Sequence, residues 1–346
     1  MPRFSPLASL CFLLTPLVLA GCLPSSCNRV ESRALFPADS LSRALAGAIA
    51  VDTLDVVWET AGPEALPFEY PRTVLFDDAG VLHVSDAEAN AVHAFDAQGQ
   101  PLYQVRDDDF PIPFLAGAAG DTVAIFSPTL RAVRLLVDQQ VIATIPTPSD
   151  LPEKQLLQYA AYGSGGLYVK ILGEAYENFI GRLDASGAIQ ERWPLEGPIW
   201  RYSGKLVATE DTLLSACGYR PVLDRIPPLA ARDTLALVGF DSPMLARSRS
   251  FLLGDLYDPP LLTPSMAVAG DRIFVLNIRP GWLLIDVYDL AGRLQRRLVQ
   301  QAPVFAQSFY PVDLAAHPNG DGFDIAVVYV EPQPWLALYR WATAFE

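Results

Sequence analysis

A short motif recurs six times between residues 79 and 322 and limits the possible folds. It is a Gly or Asp directly before a predicted strand in which apolar and other residues alternate. The six strands read VLHVSD, TVAIFS, LYVKIL, TLLSAC, RIFVLN and FDIAVV. Their first apolar positions, separated by 42, 44, 46, 60 and 50 residues, are Val81, Val123, Leu167, Leu213, Ile273 and Phe323. Self-similarity at this period indicates repeated supersecondary units around or along one core.

A second motif is an aspartate that closes the next strand of each repeat, at Asp96, Asp138, Asp184, Asp241 and Asp289. In three repeats a glycine follows three positions later, as Gly99, Gly187 and Gly292. Asp opening a turn and Gly adopting positive φ is the chemistry of a tight hairpin. Six repeats of short strands joined by such hairpins predict an all-β fold, a six-bladed β-propeller.

The two ends of the repeat region support ring closure. The last repeat has room for three strands only, near residues 309–316, 323–330 and 335–342. The missing outer strand is available in residues 51–60, VDTLDVVWET. We therefore expect the N-terminal strand to close the last blade, which leaves few exposed edges. Two β-sandwiches would explain neither the single period nor the strand deficit.

Residues 58–99 resemble an NHL-type repeat, and the match weakens in the later repeats. The matching positions are Gly62, Phe68, Pro71, Asp77, Gly80, Val84, Ser85, Asp86, Asn90, Val92, Phe95, Asp96 and Gly99. The resemblance implies a six-bladed fold and an extracytoplasmic propeller lipoprotein. NHL repeats serve binding and enzymatic roles alike, so the resemblance does not choose between them.

The N-terminus is predicted to be a targeting segment. Residues 1–21 carry one charge and an apolar stretch too short and Pro-broken for a good membrane span. The segment ends in LAGC, which resembles the bacterial lipobox, so Cys22 is expected to be acylated; an ordinary signal peptide is the alternative. Leu23 after the cysteine favours the outer membrane, facing either the periplasm or the exterior. The predicted organisation is a signal peptide over 1–21, a lipid-anchored linker with a short helix over 22–50, and a propeller over 51–346.

Composition excludes several classes of protein and partner. Apolar residues make up 51% of the chain, which excludes general disorder. Lys and Arg number 25 against 39 Asp and Glu, giving a net charge of −14. This balance argues against nucleic acid and against electrostatic docking on anionic lipid. Two further cysteines, Cys27 and Cys217, are expected either to form a disulfide or to remain two separate thiols.

The fourth repeat offers the first candidate site. Its long spacing is interpreted as an inserted loop over 218–233, which carries Tyr219, Arg220, Asp224 and Arg225. Arginine holds a carboxylate or phosphate through two parallel hydrogen bonds, so an anionic ligand or acidic partner fits this loop. The alternative is an Arg–Asp pair that only braces the loop.

Further polar and aromatic candidates lie in loops predicted on the same face. Asp86 and Asn90 belong to the first repeat, and Asn277, Arg279 and Trp282 to the fifth. The carboxylate and amide oxygens among them suit Ca²⁺ or another divalent cation, but solvated loop charges are the preferred interpretation. No cofactor is expected beyond such an ion. Five aromatic residues are expected to pack between blades, and the alternative is that they form a stacking surface for a sugar or peptide. They are Trp200, Tyr219, Trp282, Tyr310 and Trp335.

The histidines give no catalytic arrangement. His83 and His93 lie on successive strands and are predicted to face each other as a structural pair, if Asp86 pairs with Asn90. No histidine has an evident Ser or Cys nucleophile, and no Gly-rich phosphate loop occurs.

Two functions therefore remain open from the sequence. The first is a membrane-anchored, non-catalytic binding or scaffold module for a protein, peptide or glycan. The second is a metal-dependent periplasmic hydrolase, lactonase or lyase that uses carboxylates on the axial face. Fold alone does not decide between them.

Overall fold

A computed structural model describes residues 39–148, 155–173, 178–197, 199–209, 212–226, 233–254, 261–279, 281–302 and 309–343. The predicted signal peptide, Cys22 and Cys27 lie outside these ranges. Within them the chain is almost entirely β-structure, with two α-helices, α1 (Asp39–Ala48) and α2 (Leu245–Leu252), and a short 3-10 helix, Ile199–Tyr202. Neither α-helix is long and apolar enough to cross a membrane.

Four sheets are antiparallel meanders of four strands that follow the chain order. The first contains β2 (Pro71–Phe76), β3 (Leu82–Asp86), β4 (Ala91–Phe95) and β5 (Pro101–Arg106). The second contains β6 (Phe114–Ala119), β7 (Thr122–Ser127), β8 (Ala132–Val137) and β9 (Gln140–Pro146). The third contains β10 (Gln155–Gly163), β11 (Gly166–Gly173), β12 (Asn178–Leu183) and β13 (Ile189–Leu195). The fourth contains β14 (Leu206–Ala208), β15 (Leu213–Ala216), β16 (Val222–Ile226) and β17 (Asp233–Ala236).

A fifth sheet of eight strands joins the end of the chain to its beginning. In spatial order it contains β18 (Met266–Ala269), β19 (Arg272–Leu276), β20 (Leu284–Asp289), β21 (Leu294–Gln300), β1 (Val51–Thr60), β24 (Trp335–Ala342), β23 (Gly322–Glu331) and β22 (Tyr310–Asn319).

Strand β1 holds the two halves of this sheet together. Its first residues pair in parallel with β21, Val51 opposite Arg297, and its later residues pair antiparallel with β24, Asp55 opposite Arg340. The predicted pairing of residues 51–60 with the last strand is therefore present. Because β1 pairs on both sides, the described strands form five sheets, and the count of six blades stays a prediction.

The predicted Asp–Gly hairpins are confirmed. The amide of Gly99 donates to the carbonyl of Asp96 at 3.0 Å, and φ of Gly99 is +79°. The same pair of features occurs at Gly187 and Gly292, with φ of +85° and +78°. Positive φ is strained for residues with a Cβ, which explains the glycines.

The fourth repeat differs from the prediction of one inserted loop over residues 218–233. Strand β16 occupies residues 222–226, so this stretch contains a third strand, preceded by a turn. Val222 and Ile226 are buried, but the strand is short and bounded by prolines, which hid its pattern in the sequence. Much of the additional length lies between β17 and β18, where α2 is found.

The predicted facing pair of histidines is also wrong. His93 pairs with Val84, and His83 pairs with Ala94. The turn contains one more residue than expected because Asp86 pairs with Ala91, not with Asn90. A slip of one residue places neighbouring positions on opposite faces of a sheet, so the two imidazoles point apart.

The core lies between neighbouring sheets, as in a ring of stacked blades. Val84 and Phe95 of the first sheet pack with Val328 and Leu338 of the eight-stranded sheet. Each buried side chain of this size contributes about 1.5–3 kcal/mol relative to exposure. Contacts of this kind hold the first and last repeats together across the closure.

Candidate functional site

The first strands of the six sequence repeats surround a central cavity of about 570 Å³, here called the axial cavity. Its wall includes residues of β2, β6, β10, β14, β18 and β22. Most of the residues that line it have apolar side chains, polar and apolar atoms contribute about equally to its exposed surface, and the volume suits a small organic molecule. Three charged residues are among the described residues of the wall: Arg72, Lys205 and Asp313.

Lys205 and Asp313 form an ion pair in this wall. The distance from Lys205 Nζ to Asp313 Oδ1 is 2.6 Å, and the Ser265 hydroxyl donates to the same oxygen. Asp313 Oδ2 accepts the backbone N–H of Val74 at 2.9 Å. The Asp313 side chain is 4% exposed and that of Lys205 is 20% exposed. The carboxylate is therefore fully engaged, whereas the ammonium still reaches the cavity.

Arg72 lies at the end of the axial cavity where the first strands begin, and it interacts with several tyrosines. Its Nη1 donates to the Tyr70 hydroxyl at 2.9 Å, and its guanidinium lies 5.0 Å from the ring centroid of Tyr70. Burial raises the pKa of Tyr159 to about 12 and also raises the pKa of Tyr310. The Tyr219 phenol raises both pKa values further, whereas Arg72 lowers both. We call Arg72 and these four tyrosines the tyrosine mouth.

Lys170 supports this site from behind the wall. It is fully buried, and burial lowers its pKa to about 7. Its ammonium donates to the carbonyl of Tyr202 at 2.8 Å and lies 4.7 Å from the ring centroid of Tyr159. The Tyr159 hydroxyl in turn donates to the carbonyl of Ser203 at 3.1 Å. Both contacts fix the segment that directly precedes Lys205.

The four residues predicted in the fourth repeat do not form one site. Tyr219 belongs to the tyrosine mouth, whereas Arg220 is completely buried. Asp224 lies on β16 and accepts the hydroxyl of Thr234 at 2.9 Å.

Arg225, also on β16, forms an ion pair with Asp233 of β17 at 3.1 Å. This ion pair joins two strands of one sheet and does not lie at the axial cavity. It agrees with the alternative that an Arg–Asp pair only braces this part of the chain.

Asp86 and Asn90 organise backbone connections. The buried carboxylate of Asp86 accepts the N–H groups of Glu69 at 2.7 Å and Tyr70 at 2.9 Å. Asn90 Oδ1 accepts the N–H of Ile112 at 3.1 Å. Asp86 thus contributes to the mouth indirectly, because it holds the backbone of Tyr70.

The candidates of the fifth repeat are not among the residues that line the axial cavity. Asn277 donates to the buried carboxylate of Asp286 at 2.8 Å, and Arg279 donates to the carbonyl of Asp241 at 2.7 Å. Trp282 is partly exposed and follows in the same turn. These contacts connect β19 and β20 to the segment after β17.

Within the described ranges, no group of three or more His, Cys, Asp or Glu side chains is arranged to hold a metal ion. Asp313 is the single carboxylate in the described wall of the axial cavity. Cys217 is buried and forms no disulfide with a described residue, while its expected alternative partner Cys27 lies outside the described ranges.

Arg72, Lys205 and Asp313 were missed in the sequence. Each sits at or near the start of the first strand of a repeat, in RTVLF, KLVA and VDLAA. A charge in an otherwise apolar first strand is the signal that identifies them, because this strand lines the axis.

Several solved structures share this fold. Streptogramin B lyase matches with a TM-score of 0.51 and 13% identity, covering 84% of this chain and 88% of that chain. Regucalcin, a calcium-binding protein from Agrobacterium tumefaciens, matches with a TM-score of 0.51 and 15% identity, covering 84% and 94%. A luciferin-regenerating enzyme matches with a TM-score of 0.51 and 10% identity, covering 80% and 92%. No family model matches the chain, and no curated protein matches its sequence.

These likenesses show the class: the chain is an all-β protein with a propeller fold. The NHL type and the lipid anchor stay predictions. At this level of identity the likeness carries no residue role to this chain.

Proposed function

We propose that this protein is a lipid-anchored, extracytoplasmic propeller that binds a small anionic molecule in its axial cavity. The observation that carries the proposal is Arg72, a cation among the residues that line the cavity and without an ion-pair partner in the described ranges. A concave pocket of about 570 Å³ suits a small ligand better than a protein surface.

Charge is the first argument for an anionic ligand. The described wall carries two cations and one carboxylate, although the whole chain has a net charge of −14. Asp313 neutralises Lys205, which leaves Arg72 with phenolic contacts and no ion-pair partner in the described ranges. A guanidinium in this state favours a carboxylate or phosphate, which it can bind through two parallel hydrogen bonds.

The rest of the wall indicates what carries the charged group. Partly exposed apolar residues such as Phe76 and Phe114 also line the cavity. Tyrosines at the mouth offer a ring face together with a hydroxyl group. The ligand class proposed is therefore a carboxylate or phosphate attached to an apolar or ring-shaped body.

Six blades belong to the same proposal. Each of the six sequence repeats contributes one first strand to the axial cavity. The eight-stranded sheet then corresponds to two blades joined through β1, which serves as the outer strand of the last one. The anchor is proposed at Cys22, and its replacement by Ser is expected to move the protein from the membrane to the soluble fraction.

The test is binding of a panel of carboxylates and phosphate monoesters to the full chain, measured by calorimetric titration. Arg72→Gln is expected to weaken binding by about tenfold or more, roughly 1.4 kcal/mol. The matched control is Arg106→Gln, which removes an exposed arginine paired with Asp108 on the outermost strand of the same sheet. Equal affinities of the wild type and Arg72→Gln for every ligand that binds would refute the proposed site.

An enzyme is the second candidate function. Two of the propellers similar to this chain are named as enzymes, a streptogramin B lyase and a luciferin-regenerating enzyme. A metal-dependent form predicts a stoichiometric divalent ion in the purified protein and a lower melting temperature after chelation. Turnover of a bound lactone or ester, lost on chelation, would favour this candidate over simple binding.

A further inference from the structure

Arg220 is a completely buried arginine in the turn between β15 and β16. Two contacts fix its guanidinium. Nε donates to the Sγ atom of Cys217 at 3.3 Å, and the guanidinium carbon lies 5.3 Å from the ring centroid of Trp200. The turn itself is closed by the amide of Val222, which donates to the carbonyl of Arg220 at 2.9 Å. The side chain is therefore held in one orientation.

The two terminal nitrogens of this guanidinium have no hydrogen-bond partner among the described residues. Both Nη1 and Nη2 are buried and make no hydrogen bond, and Arg220 takes part in none of the described ion pairs. A buried cation without a counter-charge strongly destabilises a folded protein. Buried polar groups are otherwise almost always satisfied, so this pair of nitrogens requires an explanation.

No carboxylate of the described residues forms an ion pair with Arg220. Asp224, the carboxylate on the same strand pair, lies 3.7 Å from Arg201 Nη2 and also interacts with Lys170, whose pKa burial lowers to about 7. Asp224 therefore already has other partners.

We propose that Arg220 binds a small oxyanion, inorganic phosphate or sulfate or a free carboxylate, through Nη1 and Nη2. The terminal edge of a guanidinium presents two N–H groups at the spacing of two oxygens on one carboxylate or phosphate. A fixed guanidinium loses little entropy on binding, which favours the oxyanion over a water molecule that leaves the charge uncompensated. This site is separate from the axial cavity and does not depend on the function proposed for it.

The experiment is thermal unfolding of the full chain in phosphate, sulfate, acetate and chloride at constant ionic strength. The wild-type melting temperature is expected to rise saturably with at least one oxyanion. Arg220→Met removes the buried charge but keeps much of the volume. It is expected to melt at or above the wild-type temperature without anion, and to lose the response. Arg220→Lys keeps the charge but not the two-pronged geometry, so its apparent Kd is expected to rise tenfold or more.

Two controls separate this site from other effects. Arg225→Met removes an arginine of the same sheet that already has a partner in Asp233, and it should respond as the wild type does. The comparison of Arg220 with Arg220→Met is repeated in an Arg72→Gln background, where anion binding at the axial cavity is removed, so failure of the axial proposal and failure of this one remain distinguishable.

Three results would overturn the proposal: a wild-type melting temperature indifferent to all three oxyanions, a response to chloride alone, or an unchanged response in Arg220→Met. Should Arg220→Met not fold, calorimetric titration of wild type and Arg220→Lys with the active oxyanion decides, and equal affinities would contradict the site.

Discussion

His93 is a polar residue whose side chain packs in this propeller as an apolar one would. Its ring centroid lies 5.2 Å from that of Phe68 in an edge-to-face arrangement, and neither ring nitrogen has a hydrogen-bond partner. Burial lowers the pKa of His93 from 6.5 to about 4, although Asp86 opposes this effect. The folded protein therefore keeps this imidazole neutral at pH values where the unfolded chain protonates it.

The consequence is a specific loss of stability in acid. Between pH 6.5 and pH 4 the unfolded state binds a proton that the folded state does not, so the free energy of unfolding falls as pH falls. At pH 5 the cost is about 2 kcal/mol. His93→Leu is expected to remove this contribution to the pH dependence of stability. In urea titrations, the free energy of unfolding of the variant should therefore rise relative to that of the wild type as the pH is lowered from 7 to 5.

Val84→Ala is the matched control, because it changes a buried residue opposite His93 that carries no titratable group. This variant should keep the wild-type pH dependence, with a constant loss of stability at every pH. A parallel slope for wild type and His93→Leu across this range would contradict the account of His93.

At the scale of elements, the Asp–Gly hairpins also serve as contacts between sheets. A Cβ on Gly187 would lie 2.0 Å from the carbonyl oxygen of Pro146, at the end of the preceding sheet. A Cβ on Gly99 would lie 2.6 Å from the ring of Trp58, and one on Gly292 would lie 2.4 Å from the carbonyl oxygen of Ala236. Each hairpin thus packs directly on a strand of the neighbouring sheet.

Gly187→Ala is accordingly expected to be far more damaging than its positive φ alone implies. The control is Gly120→Ala, where φ is +59° and a Cβ would meet nothing within 4 Å. The control should cost about 1 kcal/mol from backbone strain, and Gly187→Ala about 3 kcal/mol or more because two sheets must separate. Equal losses in urea titrations would show that the hairpin does not make this contact.

The elements also show what the sequence could reveal. Turns such as Asp96–Gly99 depend on local chemistry and were predicted correctly. The register of β3 and β4 depends on one extra turn residue, which the pattern of apolar residues does not specify, since both faces of these strands are buried.

The candidate site could not be assembled from local patterns. Lys205 and Asp313 are 108 residues apart in the chain and meet only because first strands of different repeats face one axis. The repeats predicted this axis, but they did not indicate which of its residues are charged.

For the whole molecule, closure by β1 is the feature on which the ring depends. Leu54 of β1 is fully buried in a cluster with Leu298 of β21 and Ile325 of β23. Leu54→Ala is expected to lower the free energy of unfolding by about 3 kcal/mol, because it leaves a cavity where the two halves of the sheet meet.

Val57→Ala, at an exposed position of the same strand, should cost below about 0.5 kcal/mol. If the two variants unfold at the same urea concentration, β1 does not close the ring in solution.

Closure also creates the axial cavity, and the central claim is that this cavity holds the ligand. The most direct measurement is an experimental structure of the full chain with the tightest-binding carboxylate or phosphate from the titration panel. The account predicts the anionic group at the guanidinium of Arg72, within hydrogen-bond distance, and the body of the ligand between the first strands. A ligand bound elsewhere, with the axial cavity holding only solvent, would contradict it.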